Sequence, residues 1–401
     1  MEGGKMAIKS TIIAVLFSLL LAFIVEGEAK DFDVRTYGAR PNCDIGQALA
    51  KAWKDACASP TPSKVVIPSG IYNLKVAKFE GPCKAPIVFQ LQGTLKAQTN
   101  PSGFNEGEGW ITFLRIDKLT LTGGGTFDGQ GKNTRGKQCS SIKYCNKLPI
   151  NIRFDFITNS LVENIVSLDS KQFHINVLGC EHLTFSSVKI IAPGTSANTD
   201  GIHIGRSTSI NITDSFIQTG DDCISIGDGS RQITITKVTC GPGHGISVGS
   251  LGKYPKEEPV QGVFVRNCTL KNTMNGIRIK TWPDSYNGVA SDMHFEDIIM
   301  ENVGSGGNPI VVDQAYCPWN KCNAQVPSKV RISNVSFKKI RGSSATAVAV
   351  KLACSKSFPC QNVQISDINL TYAGKEGPVK SQCQNVKPTI LGQPHPALCI
   401  A

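Results

Sequence analysis

Four polar stretches between residues 198 and 280 carry side chains suited to acid–base chemistry on a charged substrate. They are Asn198-Thr199-Asp200, Gly220-Asp221-Asp222, Gly243-His244-Gly245 and Arg278-Ile279-Lys280. Carboxylates held close together raise one another's pKa, so one can stay protonated as a general acid while the others remain ionised and hold a water molecule. A guanidinium and an ammonium group on the same surface would bind a substrate carboxylate. The set therefore predicts hydrolysis of an acidic polymer.

The four stretches belong to a repeat. Each adjoins a short run rich in β-branched residues, and these runs align on a first isoleucine, at Ile202, Ile224, Ile246 and Ile277. The alignment puts Asp200, Asp222 and His244 in one column, with Asp221 beside it. Because parallel strands in adjacent coils lie about 4.8 Å apart, we expect Asp222 almost directly above Asp200.

A trough is expected beside the two cations. Arg278 and Lys280 are two residues apart, so a strand projects both side chains to the same side. The position that Lys280 occupies in its run is Gly205, Gly227 and Gly249 in the three preceding runs. The missing side chains would leave room for sugar rings.

Short alternating strands recur along most of the chain, separated by glycine turns. They begin at Leu183, Ile210, Ile233, Val263, Met293, Val330 and Val363. A propeller blade of about 40 residues needs four strands, which is too many for repeats of this length. The pattern therefore predicts an all-β fold. Within that class it favours a single right-handed parallel β-helix, whose stacked coils bury a continuous core, over a β-sandwich or a propeller. One helix over residues 45–57, capped by Asp44, is expected to cover the open N-terminal end.

The first 29 residues have the features of a secretory signal peptide: Lys5 and Lys9, an apolar run, and small residues near Ala29. This predicts a leader over residues 1–29, a single catalytic domain over residues 30–401, and a secreted, extracellular or cell-wall location. No membrane association is expected after its removal.

The remaining chain holds all 15 cysteines, as expected of an oxidising compartment. Four close pairs are the natural local disulfides: Cys223/Cys240, Cys317/Cys322, Cys354/Cys360 and Cys383/Cys399. Four sequons permit N-glycosylation, at Asn211, Asn267, Asn334 and Asn369.

The net charge of +11 points to a polyanionic partner. The basic residues are scattered and no nucleic-acid motif appears, so an acidic polysaccharide is the expected partner rather than a nucleic acid. No metal or other cofactor is expected, because neither a zinc spacing nor a calcium loop is present. The pattern G-x-S-x-G at residues 245–249 matches a nucleophile elbow, but Ser247 lies inside a strand repeat and is interpreted as an ordinary strand residue.

The four stretches, in this order, resemble the signatures of the polygalacturonases of glycoside hydrolase family 28. Residues 32–39, 66–72 and 123–131 are similar to the N-terminal coils of that family. The resemblance implies inverting, metal-free hydrolysis of α-1,4 bonds between galacturonic acids. We expect the protein to be a monomer. One departure is Ala197, where plant members commonly have proline.

The resemblance also implies the site residues. Asp221 would be the general acid, Asp200 and Asp222 would activate the water, and His244 would support them. Substrate would be bound by a further set: Arg278, Lys280, Asn198 and Tyr316.

Segments 241–251 and 280–283 are most similar to plant pollen-type members, which implies exo action and release of galacturonic acid. An endo-acting enzyme is the alternative. A calcium-dependent pectate lyase and a wall-binding β-helix without turnover are two further interpretations that the residues leave open.

Overall fold

The structure, a computed structural model, describes residues 29–100, 103–132 and 147–398. Residues 1–28 of the predicted leader therefore lie outside the described residues. Cys399 of the predicted Cys383/Cys399 pair lies outside them as well. Across the described ranges, no helix has the length and apolar character needed to cross a membrane.

Most of the described chain is short β-strand. In chain order the strands are β1 Lys30–Asp33, β2 Ser63–Ile67, β3 Ile71–Asn73, β4 Ala77–Glu80, β5 Ile87–Leu91, β6 Thr94–Lys96, β7 Gly109–Leu114, β8 Leu119–Thr122, β9 Thr126–Asp128, β10 Ile150–Asp155, β11 Thr158–Glu163, β12 Val166–Leu168, β13 Ile175–Leu178, β14 Glu181–Ser186, β15 Lys189–Ile191, β16 Ile202–Gly205, β17 Thr208–Thr213, β18 Phe216–Gln218, β19 Ile224–Ile226, β20 Arg231–Thr236, β21 Thr239–Cys240, β22 Ile246–Leu251, β23 Val260–Lys271, β24 Ile277–Thr281, β25 Gly288–Val303, β26 Ile310–Asp313, β27 Val330–Ser344, β28 Val348–Ala353, β29 Gln361–Ser366, β30 Asn369–Thr371, β31 Lys380–Gln384 and β32 Thr389–Leu391. The helix α1 is Gly46–Cys57, and two short 3-10 helices are Val34–Tyr37 and Pro318–Asn320.

The strands stack as the coils of a parallel β-helix. One sheet has 11 strands, in the order β4, β7, β10, β13, β16, β19, β22, β24, β26, β28 and β31, and the others belong to a 21-stranded sheet. Neighbouring strands in both sheets run parallel, as in β16 with β19 and β14 with β17. The predicted fold is confirmed.

The repeating isoleucines set the register of the 11-stranded sheet. Ile202 pairs with Ile224, Ile224 with Ile246, and Ile246 with Ile277. All four side chains are fully or almost fully buried. Side chains along a strand alternate between faces, so the residue after each isoleucine points out of the coil. Asp200, Asp222 and His244 lie in the turns that precede these strands.

The predicted strands of the 21-stranded sheet are present, but one of their first residues is out of register with the others. Leu183, Ile210, Ile233, Val263 and Met293 pair in succession as expected. The partner of Met293 is Val335, however, while Val330 pairs with Gly288. The offset exists because β25 and β27 are 16 and 15 residues long, and β27 begins five residues before the partner of Met293.

The helix α1 caps the first coil as predicted. Its apolar side buries Leu49, Trp53 and Ala56, and the Trp53 ring lies 5.0 Å from the ring of Phe79. The helix begins at Gly46 rather than residue 45, and the Asp44 carboxylate accepts a hydrogen bond from the first helical N–H at 2.9 Å.

Three of the predicted disulfides are present: Cys223–Cys240, Cys317–Cys322 and Cys354–Cys360. A fourth bond, Cys57–Cys83, joins the end of α1 to the loop after β4 and was not predicted.

Candidate active site

The outer face of the 11-stranded sheet carries a polar cleft of about 550 Å³. All eight residues predicted to act in the site line this one cleft: Asn198, Asp200, Asp221, Asp222, His244, Arg278, Lys280 and Tyr316. Gly227 and Gly249 also line it, as the predicted trough requires. The third glycine of the trough, Gly205, borders the adjoining cleft instead.

Two small residues hold the carboxylate-bearing turns together. Thr199 accepts a hydrogen bond from the N–H of Gly220 at 3.0 Å, which ties the turn before Asp200 to the turn before Asp221. A Cβ on Gly220 would lie 2.1 Å from the carbonyl oxygen of Ser196, so only glycine permits this approach.

Asp222 lies in a pocket lined by two cations. Arg278 Nη2 donates to one carboxylate oxygen at 2.7 Å, and Lys280 Nζ donates to the other at 2.8 Å. Ser247 Oγ donates to the first oxygen at 2.8 Å and accepts from Arg278 Nε at 3.0 Å. Burial acts to raise the pKa of Asp222, but the Lys280 and Arg278 charges outweigh it and hold the pKa well below its usual range.

Asp200 is held by a hydroxyl group instead of a cation. Ser225 Oγ donates to its Oδ2 at 2.7 Å, and His203 Nδ1 lies 2.7 Å from that hydroxyl. Burial, followed by the negative charges of Asp221 and Asp222, raises the pKa of Asp200 well above its usual value. The two stacked carboxylates therefore differ sharply in their tendency to ionise.

Asp221 is the accessible carboxylate of the three. Its side chain is 25% exposed, against 2% for Asp222. His244 Nδ1 lies 2.9 Å from Asp221 Oδ1, which also accepts the N–H of Asp222 at 2.8 Å. The carboxylate is thus held at the floor of the cleft with one oxygen engaged.

The Tyr316 ring lies over the two cations, 5.2 Å from Lys280 Nζ and 5.8 Å from the Arg278 guanidinium carbon. It is also in edge contact with Trp282 at 5.9 Å. Asn198, in a left-handed backbone conformation, lies half-buried at the cleft near Asp200.

Sequence reasoning missed three polar residues of the site: His203, Ser225 and Ser247. The expectation that Ser247 is a strand residue and not a nucleophile elbow is confirmed, since it lies within β22. Ser225 and Ser247 pair in register, and each donates to the aspartate of the preceding coil. The signal was present in the alignment, because all three residues directly follow one of the repeated isoleucines.

Among the residues that the structure describes, one group of side chains could offer ligands to a metal ion. Asp221, Asp222 and His244 each offer a ligand atom, and these atoms lie within 4.8 Å of one another. Both oxygens of Asp222 already accept hydrogen bonds from cations, and Ca²⁺ requires about six to eight oxygen ligands. The donor set therefore fits acid–base chemistry better than metal binding.

A parallel β-helix with three clustered aspartates and two cations in one cleft defines a hydrolase of acidic polysaccharides. The model of the glycosyl hydrolases family 28 matches residues 57–396, and the chain belongs to this family. It is 52% identical over 396 residues to a polygalacturonase from Nicotiana tabacum, covering 99% of this chain and 98% of that protein. It is 55% identical over 358 residues to an exopolygalacturonase from Oenothera organensis, covering 89% and 98%.

Solved structures show the same fold. An endo-xylogalacturonan hydrolase from Aspergillus tubingensis superimposes with a TM-score of 0.75 at 21% identity, covering 89% of this chain and 98% of that chain. An exopolygalacturonase from Thermotoga maritima superimposes with a TM-score of 0.70 at 17% identity, covering 90% and 91%.

Proposed function

We propose that this glycoside hydrolase cleaves the α-1,4 bonds of polygalacturonic acid by inverting general acid–base catalysis. The observation that carries the proposal is the cleft itself, in which three aspartates with different surroundings lie beside a buried guanidinium and ammonium group. Its relatives named polygalacturonase and exopolygalacturonase support the same substrate.

Accessibility supports Asp221 as the general acid. The leaving oxygen belongs to a polymer and can be reached only by a carboxylate that opens onto the cleft, which is Asp221. Water is small enough to reach the buried pair, so Asp200 and Asp222 together would orient it and remove its proton. Attack from that side, opposite the departing oxygen, inverts the sugar carbon.

The two buried aspartates differ in protonation when they bind the water. Asp222 stays ionised near neutral pH, because the positive charges of Lys280 and Arg278 lower its pKa. Asp200 must lose its proton before it can accept one from water, while Asp221 must keep its proton for the leaving oxygen. The acid limb of the pH profile should therefore be set by Asp200.

Arg278 and Lys280 donate to Asp222, and they would also bind the substrate. Each group has donors beyond those engaged with Asp222, and a galacturonate carboxylate would accept them. Tyr316 covers both cations from the cleft side and would pack against the sugar ring, and Asn198 would donate to a hydroxyl.

Exo action is the favoured mode, and we place the enzyme in the extracellular cell wall. Relatives from Oenothera organensis and Platanus acerifolia are named exopolygalacturonase. Four disulfides among the described residues fit an oxidising compartment. Demethylesterified pectin is the partner that supplies free galacturonate carboxylates, and a monomer would suffice to bind it.

The experiment is a time course of products from unesterified polygalacturonate, separated by chain length, with Asp221→Asn as the inactive control. Galacturonic acid alone at the earliest times supports exo hydrolysis. A ladder of oligomers would assign endo action and leave the chemistry unchanged. Absence of new reducing ends in the wild-type digest would overturn the proposed function.

Absorbance of the same digests separates hydrolysis from elimination. A pectate lyase would create a double bond in each product and would need calcium. We expect no such absorbance and equal rates with and without a chelator.

A further inference from the structure

We propose that His203 is a positioning residue that acts through Ser225 to fix and ionise Asp200, an inference that rests on the proposed function. His203 belongs to β16, Ser225 to β19, and the two are register partners on the outer face of the sheet. The hydrogen-bonded chain runs from His203 Nδ1 to Ser225 Oγ over 2.7 Å, and from Ser225 Oγ to Asp200 Oδ2 over 2.7 Å.

The direction of the hydrogen bonds follows from the chemistry of the three groups. An ionised carboxylate only accepts, so the single hydroxyl proton of Ser225 must point to Asp200. Ser225 can then only accept from His203, which requires a proton on Nδ1. His203 therefore selects the one hydroxyl orientation that stabilises ionised Asp200.

The surroundings keep His203 neutral. Burial lowers the pKa of His203 to about 4, and the Lys280 charge acts in the same direction against the raising effects of Asp222 and Asp228. The Phe173 ring packs against the imidazole with the ring centroids 5.2 Å apart. A neutral ring can donate to Ser225 only as the tautomer with its proton on Nδ1.

The neighbouring coil shows the alternative arrangement. Ser247 also donates to an aspartate, but the group that donates to Ser247 is the permanently charged Arg278. Asp222 therefore has cations to hold its charge, whereas Asp200 has a serine oriented by a neutral imidazole. Loss of that orientation should make Asp200 still harder to ionise.

The test compares three variants of full-length enzyme on polygalacturonate. The substitution His203→Asn can place an amide N–H where Nδ1 stands, whereas His203→Gln and His203→Phe cannot. We expect His203→Gln and His203→Phe to move the acid limb of kcat upward by about one pH unit, with kcat about tenfold lower and KM little changed. His203→Asn should restore the wild-type limb.

A double variant separates positioning from a general structural effect. In Ser225→Ala the hydrogen-bonded chain is already broken, so adding His203→Phe should change kcat by less than about twofold. Full additivity of the two changes, or an acid limb unmoved in His203→Gln, would overturn the inference. An inactive wild type would instead refute the proposed function, so the two failures are distinct.

Discussion

Two neighbouring coils of the β-helix present the same three-part arrangement with opposite electrostatics. In one, Ser225 donates to Asp200 and is held by His203. In the other, Ser247 donates to Asp222 and is held by Arg278, with Lys280 on the second oxygen. The pKa of Asp200 is raised, mainly by burial, and the pKa of Asp222 is lowered by its cations.

This difference shows how a repeating scaffold can make unlike groups from like ones. Register fixes the distance between the coils, so the backbone treats both aspartates alike. The residue after the isoleucine sets the charge near each aspartate. It is the imidazole of His203 in one coil and the guanidinium of Arg278 three coils later. The pKa of one carboxylate is thus lowered, while the pKa of its neighbour is raised.

The largest expected effect on activity comes from replacing Asp221, the carboxylate that belongs to neither arrangement. Asp221→Asn should reduce kcat by about 100- to 10,000-fold, because no proton is delivered to the leaving oxygen. Reducing-end release from polygalacturonate measures it, and the thermal unfolding midpoint serves as the folding control. Near-full activity in this variant would show that another group is the acid.

Removing one cation should bring the pKa of Asp222 closer to that of Asp200. Lys280→Met keeps the length of the side chain but leaves Asp222 with Arg278 alone in a buried site, so we expect a loss of about 3–5 kcal/mol in the free energy of unfolding near neutral pH. Denaturant unfolding checks this. The loss should shrink as pH falls below about 4, where protonation of Asp222 competes in the variant.

The same variant reports on the substrate carboxylate. Binding of polygalacturonate, measured calorimetrically in the Asp221→Asn background, should weaken more than binding of its methyl ester. Equal weakening for both polymers would argue that Lys280 serves only Asp222.

The smallest expected effects come from the matched serines. Ser225→Ala should cost about tenfold in kcat, since Asp200 loses a hydrogen bond that supports its charge. Ser247→Ala should cost only about twofold, because two cations still hold Asp222. Steady-state kinetics at the pH optimum compares them. Equal losses, or a larger loss for Ser247→Ala, would contradict the distinction between the two coils.

The sequence was sufficient to predict the parallel β-helix and the shared cleft, because the isoleucine spacing fixes which residues share a column. It did not reveal that Arg278 and Lys280 bind Asp222 directly, since side-chain reach across two coils has no sequence period. Ser247 was interpreted as an ordinary strand residue because it lies inside a strand repeat, and the repeat does not show that its hydroxyl donates to Asp222. The Cys57–Cys83 bond joins elements brought together only by the capping helix, and no local spacing marks it.

The most direct test of the opposite electrostatics of Asp200 and Asp222 is the pH dependence of unfolding for wild type, Asp200→Asn and Asp222→Asn. A raised pKa at Asp200 means that its ionisation destabilises the fold as pH rises above the ordinary value of 3.8. Asp200→Asn should therefore gain stability relative to wild type as pH rises toward neutrality. A lowered pKa at Asp222 means the reverse, so Asp222→Asn should lose stability above that pH and approach wild type below it. We predict shifts of opposite sign, and shifts of the same sign for both variants would contradict the opposite electrostatics of the two coils.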